Sequence, residues 1–184
     1  MFYTMSIAGL KRDLPLCRVT DDLYIGAFVI FGDVELTVHS AKELLKRAPE
    51  YDYMLTAESK GIPLIHEMAR QSGQNKYFLA RKGPKLYMQE VFGVAVNSIT
   101  TAKEQHLYLD GADARLMKGK RILLVDDVIS TGESLAALEK LALEAGGIIC
   151  GRMAILAEGD AQKRDDIIFL EKLPVFNADG TVKE

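Results

Sequence analysis

A chain of 184 residues, 48% hydrophobic and 27% charged, has the composition of one globular domain with a sizeable core. A formal charge of −3 with no basic block excludes a surface that gathers nucleic acid by charge alone. Cys17 and Cys150 lie far apart without metal-type spacing, no apolar run approaches the roughly 20 residues a bilayer needs, and the first residues lack the pattern of a secretion signal; reduced thiols, a cytoplasmic location and no membrane partner are expected.

In chain order, residues 1–33 read as a β-rich lead-in, with strands over Leu14–Val19 and Leu23–Phe31 separated by the turn Thr20-Asp21-Asp22. Asp33 is placed to cap a helix from Val34 to Ala48, whose apolar positions recur at helical spacing until Pro49. A strand over Tyr51–Thr56, the turn Ala57–Gly61, a helix over Ile62–Ser72 ended by Gly73, and a strand over Tyr77–Ala80 form a β-α-β unit. Arg81–Gly93 has no clear period and is expected as a mobile loop closing over a site. Val94–Thr100 and Gln105–Leu109 are expected to form a hairpin, followed by a turn at Asp110-Gly111. After the site stretch, a helix runs from Glu133 to Ala145, stopped by Gly146-Gly147, and strands follow over Ile148–Leu156 and Ile167–Leu170. The polar tail Asn177–Glu184 is expected to fray. His39, His66 and His106 fall on separate elements, so no histidine metal cluster is expected.

The chemistry concentrates in Arg121–Ser134. Ile122–Val125 are uniformly apolar, as in a strand buried on both faces, and two carboxylates, Asp126 and Asp127, stand at its end. Ser130, Thr131 and Gly132 then precede a helix. Free N–H groups and the positive end of a helix dipole hold a phosphate, while the carboxylates face hydroxyls or a metal. Neither the Walker pattern nor the dinucleotide glycine fingerprint is present, so a sugar monophosphate is the better ligand. An ordinary capping box between Ser130 and Glu133 is the plain alternative.

Val125–Ser134 resembles the phosphoribosyl pyrophosphate (PRPP) signature of type I phosphoribosyltransferases, nearest the adenine- and xanthine-type members. The resemblance implies an α/β fold in which helices flank a central parallel sheet, with a small hood subdomain and a flexible β-hairpin loop. One domain over 1–184 is implied, its core at about 34–156 and its hood from about 1–33 and 157–176. The implied enzyme is a pentosyltransferase of purine salvage that joins a nucleobase to the ribose of PRPP, releasing pyrophosphate and a nucleoside monophosphate, with Mg²⁺ as cofactor and a homodimer as the assembly.

By the same resemblance, Asp126 and Asp127 hold the ribose hydroxyls and bear on the metal indirectly, through PRPP and water. Ile129, Ser130, Thr131, Gly132, Glu133 and Ser134 wrap the 5′-phosphate. Ser59, Lys60 and Gly61 match a pyrophosphate loop, and Arg81, Lys82 and Lys85 match the start of the catalytic loop. The catalytic set implied is Asp126, Asp127 and Lys82; Ile129, Phe28 and Glu158 are candidates to touch the base. Hypoxanthine/guanine members usually carry Asp where this chain has Ser130, which leaves the adenine and xanthine types; the short form Asp126-Asp127-x-x-Ser130-Thr131-Gly132 makes adenine, giving AMP, the expected base. Xanthine or another base, or a PRPP-binding regulator without catalysis, are the alternatives. Glu133 stands where relatives often have Gly, an acidic group close to the expected phosphate.

Overall fold

The computed structural model describes residues 1–97 and 104–183, with the side chains of Asn97 and Glu104 outside the description. The site sits on a five-stranded parallel sheet built from β4 (Tyr53–Ala57), β5 (Phe78–Ala80), β8 (Arg121–Ile129), β9 (Ile148–Glu158) and β10 (Ile168–Leu173), in the order β10-β9-β8-β4-β5. Chain order runs outward in opposite directions from the β8/β4 boundary, and such a switch point is where open α/β sheets place ligands, beyond the carboxyl ends of the strands.

Strand β8 shows why the sheet is central. Its successive apolar residues serve opposite layers. Leu123 and Val125 pack with Leu36, Ala41 and Leu44 of α1 (Val34–Leu45) and Leu64, Ile65 and Met68 of α2 (Gly61–Ser72). Ile122 and Leu124 pack with Leu135, Leu138 and Leu141 of α4 (Glu133–Glu144). Covered on both faces, the strand needs no polar alternation. At its start, Asp52 accepts the Arg121 N–H at 2.7 Å and its guanidinium at 3.1 Å, pinning β8 to the strand beside it.

The hairpin of β6 (Phe92–Asn97) and β7 (Glu104–Leu109) covers the α4 side and continues from β5, because Arg81 and Tyr108 exchange two backbone hydrogen bonds of 2.8 Å. The expected strand residues 98–100 lie outside the described residues. Gly93, expected at the end of a loop, belongs to the hairpin opposite Tyr108. The segment before it is tethered as well as bent: Gln89 N–H donates to Asp110 Oδ2 at 3.0 Å, and Gly111 N–H to the Gln89 carbonyl.

Four differences from the expected elements have local causes. Phe2–Ile7 is a strand, β1, paired antiparallel with β2 (Leu10–Arg18), and β3 is confined to Tyr24–Gly26 where it meets β2 and β11 (Val175–Phe176). Asp110-Gly111 starts a helix, α3 (Gly111–Met117), since Asp110 Oδ1 accepts the Ala112 N–H at 2.9 Å as an N-cap. Ile168–Leu173, expected in the smaller unit, is the edge strand of the parallel sheet, so only β1, β2, β3 and β11 make up the second sheet. The tail from Asn177 turns back, with Lys183 N–H donating to the Val175 carbonyl at 2.8 Å. Among the described residues no helix is long and apolar enough to cross a membrane.

Leu124 is fully buried between the sheet and α4. Leu124→Ala should lower the unfolding free energy by about 2–5 kcal/mol. Urea denaturation followed by circular dichroism measures this, and an unchanged midpoint would deny the residue its place in the core.

Candidate active site

Two carboxylates at the end of an apolar strand pose the central electrostatic problem. Asp127 is 3% exposed, and Asp126 lies beside it with Oδ1 accepting the Asp127 N–H at 2.8 Å. Burial first, and then the neighbouring Asp127, push the Asp126 carboxyl up to about 8, so it holds a proton at neutral pH. Lys60, at the N-cap of α2, sends Nζ to within 3.1 Å of Asp127 Oδ2. That oxygen is buried and has no aligned hydrogen bond, so the contact is an ion pair alone. A cation at a helix N-terminus opposes the dipole; Asp127 is the counter-charge that holds it there.

The loop carrying Lys60 approaches so closely because Gly61 has no side chain. A Cβ there would collide with Thr56 Oγ1 and lie 3.4 Å from Asp126 Oδ1. The Glu58-Ser59 peptide is cis. Glu58 Oε2 lies 2.6 Å from Arg81 Nε, again an ion pair without hydrogen-bond alignment.

An open cavity of about 540 Å³ spans these groups, bounded by Glu58, Ser59, Lys60, Lys82, Asp126, Asp127 and Ser134, and roofed by Gln105, His106 and Leu107 of β7. A second hollow of about 40 Å³ adjoins it, enclosed by Asp126, Val128–Gly132, Ser134 and Leu135. This is more room than a single water requires. Gly132 takes φ +81° at the N-cap of α4, and no side chain caps the helix. Ala136 N–H donates to the Gly132 carbonyl, and Glu133 N–H reaches Thr131 Oγ1 at 3.4 Å; the N–H groups of Thr131, Gly132, Ser134 and Leu135 have no backbone acceptor among the described residues. Unspent donors at the start of a 12-residue helix make an anion cradle. The Ser130/Glu133 capping box does not form, because Glu133 is the first helical residue and Gly132, not Ser130, is the N-cap.

The expected residues therefore fall into three groups. Ser59, Lys60, Lys82, Asp126, Asp127 and Ser134 line the large cavity, and Ile129, Ser130, Thr131 and Gly132 line the small one. Arg81 is engaged with Glu58 behind the rim, and Lys85 lines neither space. Phe28 is 4% exposed within the core beside Ile7 and Leu14, and also lines neither. Glu158, half-buried at the end of β9, has its carboxyl pushed up by burial and drawn partly back by Lys60. Gln105, His106 and Leu107 were not expected. Their only sequence signal is their place in the second strand of a hairpin, which does not say what the hairpin covers.

A family model described as the phosphoribosyl transferase domain matches residues 37–180. The chain is 30% identical over 112 residues to a hypoxanthine/guanine phosphoribosyltransferase of Methanotorris igneus, covering 61% of this chain and 57% of that protein. It is also 30% identical over 134 residues to the enzyme of the same name from Methanothermococcus okinawensis, with 70% and 69% covered. The chain thus spans a little over half the length of the first of these curated relatives. Among solved structures, adenine phosphoribosyltransferase from Thermoanaerobacter pseudethanolicus superposes with a TM-score of 0.65 at 23% identity, covering 78% of this chain and 84% of that one. The Giardia lamblia enzyme complexed with 9-deazaadenine gives 0.63 at 18% identity, with 94% and 93% covered. At those identities the superpositions speak to the fold.

The raised Asp126 carboxyl has a consequence for stability. Between the ordinary aspartate range and about 8, the folded chain binds a proton that the unfolded chain has released, so stability is greatest below that window and falls as pH rises through it. Asp126→Asn should flatten the fall and leave the variant more stable than wild type at about pH 8. Urea midpoints from about pH 5 to about pH 8 report this; parallel profiles for the two proteins would contradict it.

Proposed function

The chain belongs to the phosphoribosyl transferase domain family, and on that footing we propose that it transfers phosphoribose from PRPP to a purine base, releasing pyrophosphate. One observation carries the reading: an anion cradle at the start of α4 and a lysine-bearing loop at the start of α2 flank the same carboxylate pair across one open cavity. Phosphate, polyol and pyrophosphate occur in that order along PRPP.

A ring nitrogen of the base bonds to carbon 1 of the ribose as the bond from that carbon to pyrophosphate oxygen breaks. The electron pair leaves with pyrophosphate, and the nitrogen's proton is released. Positive charge grows on the sugar ring during the exchange, and negative charge on the leaving group. Asp126 and Asp127 hold the ribose hydroxyls, and the Asp127 carboxylate offsets the first; Lys60 and Lys82 meet the second. The backbone donors of Thr131–Leu135 hold the 5′-phosphate. Residues 81–93 and the hairpin close over the reacting atoms and exclude water, bringing Arg81 and Lys85 towards pyrophosphate.

Mg²⁺ is the implied cofactor. The donor set suits it: a hard cation that keeps water and substrate-phosphate ligands needs few protein oxygens, and the buried Asp127 Oδ2 makes no hydrogen bond. Asp126 and Asp127 would hold it indirectly, through PRPP and water. When bound, it neutralises charge on the pyrophosphate oxygens.

Adenine is the proposed base, on the absence of an Asp at Ser130, with Glu158 beside the site as a candidate contact for the base's amino group. Hypoxanthine or guanine is the second reading, because the sequence relatives carry that name. A cytoplasmic homodimer is proposed from the family; the unpaired Cys17 and Cys150 agree with a reducing compartment.

PRPP, Mg²⁺ and each of adenine, hypoxanthine, guanine and xanthine, assayed for mononucleotide and pyrophosphate, should give turnover with adenine foremost. Asp127→Asn should abolish it without unfolding the chain. PRPP binding with no turnover on any base would instead leave a regulator. Sedimentation should give a dimer, and a monomer at assay concentration would remove that assignment.

A further inference from the structure

The small hollow is short of positive charge. Among the described residues its lining, from Asp126 to Leu135, contains no cationic side chain. A helix terminus supplies only about half a unit of positive charge.

Among the described residues, Arg164 brings a cation to the loop from elsewhere. Arg164 follows the short 3₁₀ turn Gly159–Lys163, and its Nη1 lies 2.9 Å from the position a Cβ on Gly132 would take. Two of its nitrogens are spent: Nε and Nη2 donate to the two oxygens of Asp166 at 2.8 Å and 2.7 Å. Nη1 makes no hydrogen bond among the described residues. Asp166 lies 3.6 Å from Arg152 Nε, which donates to Glu139 of α4 at 2.5 Å. The guanidinium is therefore gripped along one edge, with Nη1 of the other edge against Gly132, just outside the lining of the hollow. This fork-on-carboxylate arrangement fixes orientation as well as charge.

We propose that Arg164 is a phosphate-binding residue, whose Nη1 edge reaches over Gly132 to the 5′-phosphate of the sugar, and that Asp166 is the residue positioning it. The proposal rests on the proposed function, since it requires a sugar 5′-phosphate at the start of α4. Gly132 then has two duties: its left-handed backbone turns the chain into the helix, and its missing side chain leaves the path open to the guanidinium. As an exposed ion pair, Arg164 with Asp166 contributes little to folding, so its removal is a binding test more than a stability test.

Affinities of the full chain for ribose 5-phosphate, PRPP and pyrophosphate, measured by titration calorimetry with Mg²⁺, separate the possibilities. Arg164→Ala should weaken ribose 5-phosphate and PRPP roughly tenfold to a hundredfold and leave pyrophosphate unchanged. Arg164→Lys, which keeps the charge without the fork, should recover part of the loss. Asp166→Asn should show a smaller loss with the same selectivity, which a purely structural role would not produce. Lys60→Ala serves as the converse control, with its larger loss falling on pyrophosphate and a smaller one, through the unpaired Asp127, on ribose 5-phosphate. If wild type binds ribose 5-phosphate and Arg164→Ala binds it within about twofold, or loses pyrophosphate equally, the proposal is overturned alone. If wild type binds neither PRPP nor ribose 5-phosphate, the proposed function falls and takes the proposal with it.

Discussion

Two neighbouring carboxylates at the end of a strand buried on both faces are the constraint around which this molecule is arranged. Charge is costly in such a place unless it is paired or neutralised. Three devices meet the cost. Asp126 accepts the adjacent N–H and retains a proton, and Lys60 supplies a counter-charge to Asp127. Lys60 can do so only because β4 lies next to β8, so that the loop after β4 arrives at the carboxyl end of β8, and because Gly61 lets that loop lie against Thr56. Strand order, a bare glycine and a helix started by a lysine are consequences of one electrostatic demand.

The layers above and below the sheet follow the same economy of position. Alternate residues of β8 serve two separate clusters, so the strand that presents the carboxylates is clamped by α1 and α2 on one side and α4 on the other. The site is therefore carried on a strand covered on both faces. Its ligand-facing donors lie on the loops just beyond, where an anion can reach backbone N–H groups that no helix or strand consumes.

The core was legible in the sequence because its signals are local. The helical spacing of Val34–Leu45, Gly61–Ser72 and Glu133–Glu144 and the apolar run of β8 depend on few distant contacts. The same is true of Asp126–Ser134, a contiguous stretch whose residue types announce an anion at a helix start. Signals that can be read two ways were read wrongly. Asp110-Gly111 has the chemistry of a turn and of an N-cap, and only the Ala112 N–H decides between them. Phe2–Ile7 joins Leu10–Arg18 through Ala8-Gly9, which is not one of the marked hairpin dipeptides. Gln105, His106, Leu107 and Arg164 reach the site only through tertiary folding, by a hairpin laid over the sheet end and a loop returning from β9. Arg164 sits in the charged run Lys163–Asp166, which reads as solvated surface until Gly132 is placed beside it.

The ion pairs around the cavity also bear on how a charged substrate enters. Lys60 is matched to Asp127, and Arg81 to Glu58. Under the proposed function, a pyrophosphate seated on the Ser59–Gly61 loop would compete with Asp127 for Lys60, exchanging one counter-ion for another and leaving no bare cation at the start of α2. Such an exchange avoids most of the desolvation cost that a new buried pair would carry. It also couples the two ends of the substrate site. On that reading, once Lys60 turns to the leaving group, Asp127 loses the ionic partner it has among the described residues and, still buried, must find another: a ribose hydroxyl, or water on a metal. On the proposed function, occupation of the Ser59–Gly61 loop would favour engagement of the sugar, by the same charge balance that pairs Lys60 with Asp127.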